Sequence, residues 1–392
     1  MGTMASSTHQ FGVLDLIRAG LQDLDKARTL FDELHNDGID DDRMRLLLTT
    51  LEKACDPDVA LSNLVDIIKV VQSQGEDFTN IIADENSFIR LITVLGVSDE
   101  MGKLMRFRPE LVEAAANDAC ESHLYNHEQR RAHVLKSVGA DPNDHTMPTA
   151  SLPLAEAATA LRKTYRKQLA AIMAQDATAN DPITIQPRIS TELSDLADAA
   201  LEGALAIARH EVDGSEHVRF AIIGMGKLGA RELNYVSDVD LIYVVEPADA
   251  DTNGMTLSRV GTKMATTLQR VCQSVIMGVA EPTLWQIDGG LRPEGKDGPL
   301  VRRLESHEAY YEQWAENWEF QALLKARPVA GDSDLGQAYM SMTRPFVWTA
   351  SKRDNFVYDC QQMRKRVEDL IPNPLKDREI KLGRGGLRDV EF

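Results

Sequence analysis

The sequence predicts an α+β fold: a mainly α-helical chain with a mixed β-sheet embedded in it. Three observations predict this. Apolar residues recur at helical spacing from about residue 13 to residue 169. The period then shortens to two in three brief runs rich in β-branched and aromatic residues, 218–223, 241–245 and 283–288. Helical patterns resume from Ser306. The expected organisation is a polar leader at 1–10, a helical region at 11–185, a sheet-bearing domain at 186–305 and a further helical segment at 306–392. That last segment reaches Phe392 without a helix-stop signal, as a piece of a longer chain would.

The elements follow in order. Leu51, Ala54, Val59, Leu61, Leu64 and Ile67 fall near helical spacing, interrupted by the helix-start signal Asp56-Pro57-Asp58. Phe88, Leu91, Ile92 and Leu95 mark another helix, and Met101, Leu104 and Met105 the next. Ser98 or Asp99 suits the N-cap between them, and Glu100 suits the dipole of the helix it opens. The polar stretch 140–149, with Pro142 and Pro148, predicts a loop. Residues 161–172 return to helix, with Arg162, Lys163, Arg166 and Lys167 read as a solvated basic face. Pro182 and Pro187 mark 180–190 as a domain boundary. Ser190 or Thr191 would then cap an amphipathic helix carrying Leu193, Leu196, Ala197, Ala200, Leu201 and Leu205.

Composition narrows the function classes. The chain has 392 residues, room for two or three packed units of about 100–200 residues each. It is 43% hydrophobic, so it can bury ordinary cores, and its net charge of −18 repels nucleic-acid phosphates and argues against a nucleic-acid partner. Cys55, Cys120, Cys272 and Cys360 are scattered with no CxxC pair, the usage of a reduced, cytoplasmic protein. No apolar run approaches the ~20 residues of a membrane helix, and residues 1–10 lack the basic and apolar regions of a signal peptide.

The informative segment is 220–245, which reads strand, glycine-rich turn, short helix, strand. Gly224, Gly226 and Gly229 let the backbone turn sharply and approach a phosphate chain, and Lys227 adds a point charge beside them. Asp238 and Asp240 stand two apart at the start of the second strand, so both carboxylates project from one face. Two like charges that close are unfavourable unless a cation lies between them, and aspartate is a poor strand former. A pair of divalent metals answers both objections, and hard oxygen ligands favour Mg²⁺ or Mn²⁺. Asp288, ending the third run, supplies a further carboxylate. The loop that follows it offers Arg292 and Lys296.

Other readings compete at each feature. Gly224-x-Gly226-x-x-Gly229, with Glu246 after the next strand, also fits a dinucleotide fingerprint. The short intervening helix and the two aspartates opening the next strand favour the metal–phosphate reading. His123 and His127 share a helix face but lack a third ligand, so an exposed face is the simpler reading. Trp314, Trp318 and Phe320 read as packing residues. Lys325 and Arg327, at an expected helix end, read equally as a surface pair or as phosphate contacts.

Taken together, the glycine turn and the aspartates resemble the nucleotidyltransferases of the polymerase-β type. The run from Gly224 through Met225, Gly226 and Lys227 to Ser237, Asp238, Asp240 and Leu241 closely resembles the glutamine synthetase adenylyltransferases. The likeness continues in 291–301, in Trp318-Glu319, in Lys325-Ala326-Arg327 and in 381–392. It extends more weakly through Asp56-Pro57-Asp58 and 94–98, and so covers most of the chain. That family carries two similar halves: the N-terminal one removes AMP from a tyrosine of glutamine synthetase by phosphorolysis, and the C-terminal one adds it from ATP. The long helical region before the glycine turn and the ending from Lys381 to Arg388 resemble the N-terminal half.

The resemblance implies catalytic and metal-binding roles for Asp238, Asp240 and Asp288. It implies nucleotide or phosphate contacts for Gly224, Gly226, Lys227, Ser237, Arg292 and Lys296. Mg²⁺ or Mn²⁺ would be the cofactor. Glutamine synthetase, phosphate, AMP, ADP, ATP and a PII-type signal protein would be the partners, with no nucleic acid and no membrane. Met225 stands where many polymerase-β relatives have Ser, which leaves phosphate cradling to backbone groups. Two alternatives stay open: a nucleotidyltransferase acting on a nucleic-acid end or a small molecule, and a non-catalytic module that senses a nucleotide or effector. The acidity weighs against a nucleic-acid acceptor, and the intact aspartate trio against a sensor.

Overall fold

The computed structural model describes residues 11–73, 75, 78, 84–116, 125–250, 252–376 and 378–391. The expected leader, Cys120, His123 and Phe392 lie outside the described residues. Two compact units divide the chain: 1–128 with 163–196, and 129–162 with 197–392.

The described elements of the first unit are all helices. Its leading helices are α1 (Val13–Arg18), α2 (Leu24–Asn36), α3 (Asp41–Leu51), α4 (Pro57–Ser73), α5 (Glu85–Val97), α6 (Asp99–Phe107) and α7 (Pro109–Ala116). The expected apolar faces form its core: Leu61, Leu64 and Ile67 of α4 and Leu91, Ile92 and Leu95 of α5 are buried. The expected caps are in place. Asp56 accepts from the Val59 amide at 3.0 Å, and Ser98 from the Met101 amide at 3.2 Å. Helix α6 comes so close to α4 that a Cβ at Gly102 would stand 2.4 Å from the Asn63 side chain.

Three helices follow: α8 (His127–Ser137), α9 (Leu154–Ala177) and α10 (Pro182–Glu211). The predicted loop at 140–149 is irregular backbone. Helix α10 begins at Pro182 and not at the expected Ser190 or Thr191 cap. Asp181 supplies the start signal, accepting from the Ile183 and Thr184 amides at 3.1 and 3.2 Å. Pro182 then occupies the first turn, where its missing N–H would have no helical partner. Pro187, expected to break the chain, lies inside the helix and removes one helical bond.

The second unit holds the sheet. Strand β1 (Val218–Gly224) leads through the short α11 (Gly226–Ala230) to β2 (Val239–Pro247), and α12 (Gly254–Gln273) follows. Then come β3 (Ile287–Asp288), β4 (Val301–Arg302), α13 (Leu304–Gln313), α14 (Asn317–Leu323), β5 (Arg327–Gly331), α15 (Ser333–Thr349), α16 (Phe356–Asp369) and α17 (Leu387–Glu391). The sheet order is β3-β2-β1-β5, with β4 on the same edge of β2 as β3. Strand β1 runs antiparallel to β2 and β5, whereas β2 runs parallel to β3 and β4, so the sheet is mixed as predicted. Both faces are covered, which is why β1 and β2 read as nearly continuous apolar runs. Ala221, Ile223, Ile242 and Val244 pack in one core with Tyr311, Phe320, Leu335 and Tyr339. On the other face, Gly261 of α12 brings that helix against Val245 and Val301.

Three expectations need correction here. Only Ile287 and Asp288 of the run 283–288 form a strand. The segment from 306 is not wholly helical: β5, with its Arg-Pro-Val-Ala-Gly sequence, joins the sheet edge, where Pro328 is tolerated because an edge strand can lack a donor. Trp314 is 73% exposed, while Phe320 is buried as expected.

Candidate active site

The first strand ends in the glycine turn, and the turn is fixed on the strand that carries the aspartates. The Met225 amide donates to the Asp240 carbonyl at 2.8 Å. Gly226 has φ +52, and a Cβ there would stand 2.6 Å from Asp240 Oδ2, so both the backbone conformation and the close approach require glycine. At Gly229 a Cβ would overlap the Lys325 and Gly224 carbonyls.

Asp240 lies in β2, half-buried, with Asp238 exposed just before the strand. Asp288 is the register partner of Asp240 across the parallel β2–β3 pair, so these two side chains stand on neighbouring strands. Strand β3 is short because little but its pairing holds it. The Val239 amide donates to the Gln286 carbonyl at 3.0 Å, and the Ile287 amide to Gln273 Oε1 at 2.8 Å. Burial raises the Asp240 carboxyl above the usual carboxylate range, and the neighbouring charges of Asp288 and Asp238 raise it further. Arg388 and Lys381 pull it back in part. The nearest oxygens of the three carboxylates do not all lie within 4.8 Å of one another. Asp288 is turned onto the Gly290 amide at 2.7 Å.

The other expected residues are placed unevenly. Lys227 points along the turn to Ser237, Nζ to Oγ 3.4 Å, and Ser237 Oγ donates to the Asp238 carbonyl at 2.9 Å. Lys296 is exposed. Arg292 is folded into its own loop: its guanidinium donates to the carbonyls of Gly289 at 2.7 Å, Lys296 at 3.1 Å and Gly298 at 3.2 Å. Lys325 pairs with Glu232 at 2.9 Å.

The reading of a solvated basic face holds for the exposed Lys163 and Lys167 and fails for Arg162. It is 1% exposed and donates to the carbonyls of Val271 at 2.7 Å, Ser274 at 2.8 Å and Glu281 at 2.9 Å. It thus closes the C-terminal end of α12, where carbonyls lack helical partners, and fixes the chain that leads on to Asp288. Arg166 is buried too.

Residues given no site role from the sequence also contribute. Asp198 of α10 takes a two-pronged bond from Arg327, at 2.6 and 3.1 Å. Lys381 and Arg388 are held side by side by the bond from the Arg388 amide to the Lys381 carbonyl, 2.9 Å, and both charges act on Asp240. The basic, glycine-rich composition of 381–388 was the available signal for the latter pair. Asp198 gave none, being one acidic residue on a helix.

The carboxylates supply only hard oxygen donors, one of them, Asp240, raised by burial and by its like-charged neighbours, and the chemistry of this donor set suits Mg²⁺ or Mn²⁺. No described helix is long and apolar enough to cross a membrane.

The sequence model of the GlnE family, glutamate-ammonia ligase adenylyltransferase, matches residues 88–342, which include the glycine turn and all three aspartates. Among curated proteins, the bifunctional glutamine synthetase adenylyltransferase/adenylyl-removing enzyme of Bifidobacterium longum strain DJO10A is 75% identical over 389 residues, 99% of this chain and 36% of that protein. The protein of the same name from Cutibacterium acnes is 41% identical over 380 residues, 97% of this chain and 38% of its own length. That from Corynebacterium glutamicum is 41% identical over 381 residues, 88% of this chain and 34% of its own. The chain therefore spans little more than a third of the length of these relatives, and it belongs to the glutamate-ammonia ligase adenylyltransferase family.

Proposed function

We propose that this chain is the adenylyl-removing part of such an enzyme, releasing AMP from an adenylylated tyrosine of glutamine synthetase by phosphorolysis. The observation that carries the reading is the pairing of Asp240 with Asp288 on adjacent parallel strands, beside the glycine turn that packs on Asp240. The names of the relatives support glutamine synthetase as the protein substrate. The helical region ahead of the turn and the ending 381–388 support the removing half, and a PII-type signal protein and the nucleotides AMP, ADP and ATP fit the same assignment.

The chemistry follows from where charge must be neutralised. A phosphate oxygen bonds to the phosphorus of AMP, the bond from that phosphorus to the tyrosyl oxygen breaks, and ADP and free tyrosine leave. Phosphate is already an anion, so its attack needs no strong general base. The leaving tyrosyl oxygen, with an ordinary pKa of about 10, takes up a proton at neutral pH. Asp238, Asp240 and Asp288 would hold Mg²⁺ or Mn²⁺, which supplies positive charge to the phosphoryl oxygens and the departing oxygen. Lys227, Ser237 and Lys296 would hold phosphate oxygens, together with the backbone of Gly224 and Gly226. Arg292 acts indirectly, by fixing the 289–298 loop.

The test is to incubate the chain with adenylylated glutamine synthetase, Mg²⁺ and inorganic phosphate, and to follow ADP and unmodified synthetase. Phosphate-dependent ADP release that disappears in Asp240→Asn is the expected result. A chain that binds Mg²⁺ and ADP yet releases none from the modified synthetase would sink the reading.

A further inference from the structure

Arg327 begins β5 and points away from any role as a phosphate ligand. Each N–H of its guanidinium fork has an acceptor. Nε donates to the Gly229 carbonyl at 3.2 Å. Nη1 donates to Asp198 Oδ2 at 2.6 Å and, more weakly, to the Pro328 carbonyl at 3.4 Å. Nη2 donates to Asp198 Oδ1 at 3.1 Å and to the Leu228 carbonyl at 3.0 Å. Arginine has five such donors and no acceptor, so nothing remains for a ligand. Asp198 is almost wholly buried, its side chain 1% exposed, and the pair is a two-pronged bond on a rigid helix.

Two of the three carbonyls that Arg327 holds, those of Leu228 and Gly229, lie in α11, whose first residue, Gly226, has no room for a Cβ beside the Asp240 carboxylate. The same segment presses on the turn from below, since the Lys325 carbonyl leaves no room for a side chain at Gly229. One chain of contacts thus runs from helix α10 through Asp198 and Arg327 to the glycine turn and Asp240.

We propose that Asp198 and Arg327 are positioning residues, an ion pair that fixes the glycine turn against Asp240 and so sets the affinity of the site for a metal-bound nucleoside diphosphate. The affinity half of this statement rests on the proposed nucleotide chemistry; the positioning half does not. A displaced turn weakens binding by about ten- to a hundredfold, the loss typical when a group that orients a metal-site ligand is removed.

The experiment compares the chain with Asp198→Asn, Arg327→Gln, Arg327→Lys and the double variant Asp198→Asn/Arg327→Gln. It reads amide hydrogen exchange in the peptide 224–233, binding of ADP with Mg²⁺, and the thermal midpoint. Positioning predicts faster exchange in that peptide and ADP binding weaker by about ten- to a hundredfold in both Asp198→Asn and Arg327→Gln. It predicts a double variant no worse than the worse single one, since the two act as a unit. Arg327→Lys should not restore affinity, because an ammonium keeps the charge without the fork. The double variant removes both charges, so it remains informative if Arg327→Gln alone leaves the buried Asp198 carboxylate uncompensated and fails to fold. Affinity lost in Arg327→Gln but kept in Asp198→Asn would overturn the proposal, because Arg327 would then act on the ligand itself. Unchanged exchange in every variant would overturn it as well. Faster exchange in a chain that binds no nucleotide even as wild type would uphold the positioning and refute the nucleotide reading instead.

Discussion

Replacing Gly226 by alanine tests how the site is built, because two separate costs arise at one residue. Its φ of +52 lies in the left-handed region, where an L-residue costs about 1–2 kcal/mol. The new Cβ would also stand 2.6 Å from Asp240 Oδ2, against 3.4 Å for ordinary contact, so the carboxylate has to retreat by about 0.8 Å. A carboxylate can swing away cheaply, which keeps the loss of stability near the backbone cost. The swing nevertheless moves the oxygen that would bind the cation. The expected outcome is a loss of about 1–2 kcal/mol in urea unfolding, together with Mn²⁺ affinity weaker by about ten- to a hundredfold. Mn²⁺ titration followed by electron paramagnetic resonance reads the second quantity. Gly254→Ala is the control: it opens α12, its Cβ would meet nothing within 4 Å, and it should lose neither stability nor Mn²⁺ affinity. A Gly226→Ala protein with the wild-type Mn²⁺ affinity would refute the reasoning, whatever its stability.

Two further predictions concern pH. His307 is 1% exposed among Tyr311 and Tyr339, and burial, with the Arg302 charge nearby, lowers it from 6.5 to about 3. A depressed histidine contributes stability above its unfolded pKa and loses it as pH falls, so the neutral ring should cost the fold about 3 kcal/mol on acidification from pH 7 to 4. His307→Phe keeps an aromatic ring there and should abolish that part of the slope in urea unfolding; an unchanged slope would contradict the assignment. Asp240 has the opposite sign: its raised carboxyl favours the fold at low pH, and that advantage is lost as pH rises through the folded value. Metal-free Asp240→Asn should therefore melt higher than wild type near pH 8, with the gap closing towards pH 4, and added Mn²⁺ should raise only the wild type. Equal melting near pH 8 would refute it.

Local sequence made much of the fold legible, and the exceptions share a cause. The helical stretch, the loop at 140–149 and strands β1 and β2 were visible because each carries its own period or breaker. Strand β5 was hidden: Arg327-Pro328-Val329-Ala330-Gly331 has no alternation, and only pairing with β1 makes it a strand. Pro187 misled because a capping Asp181 upstream moved the helix start past it. The aspartates of the candidate site were legible because two carboxylates at strand spacing have few structural reasons to exist. Their supports were not, since the roles of Asp198, Arg162 and Arg327 depend on contacts made across 98 to 129 positions of sequence.

Those supports follow one physical rule. The carboxylates sit at strand ends and on loops, where the backbone is irregular and its carbonyls lack the partners that a helix or ladder would provide. Packing alone cannot satisfy such carbonyls, and lysine offers three donors without a fixed plane. Arginine offers five in a rigid fork, which suits several carbonyls that diverge from one point. Arg162 fills this part on the approach to Asp288, Arg292 within the loop after it, and Arg327 behind the glycine turn. In a chain of net charge −18 these cations are not placed simply to neutralise aspartates. The carboxylate that Arg327 takes is the buried Asp198 and not a member of the site. The arginines shape the backbone, while burial and the charges of Asp288 and Asp238 keep the Asp240 carboxyl raised.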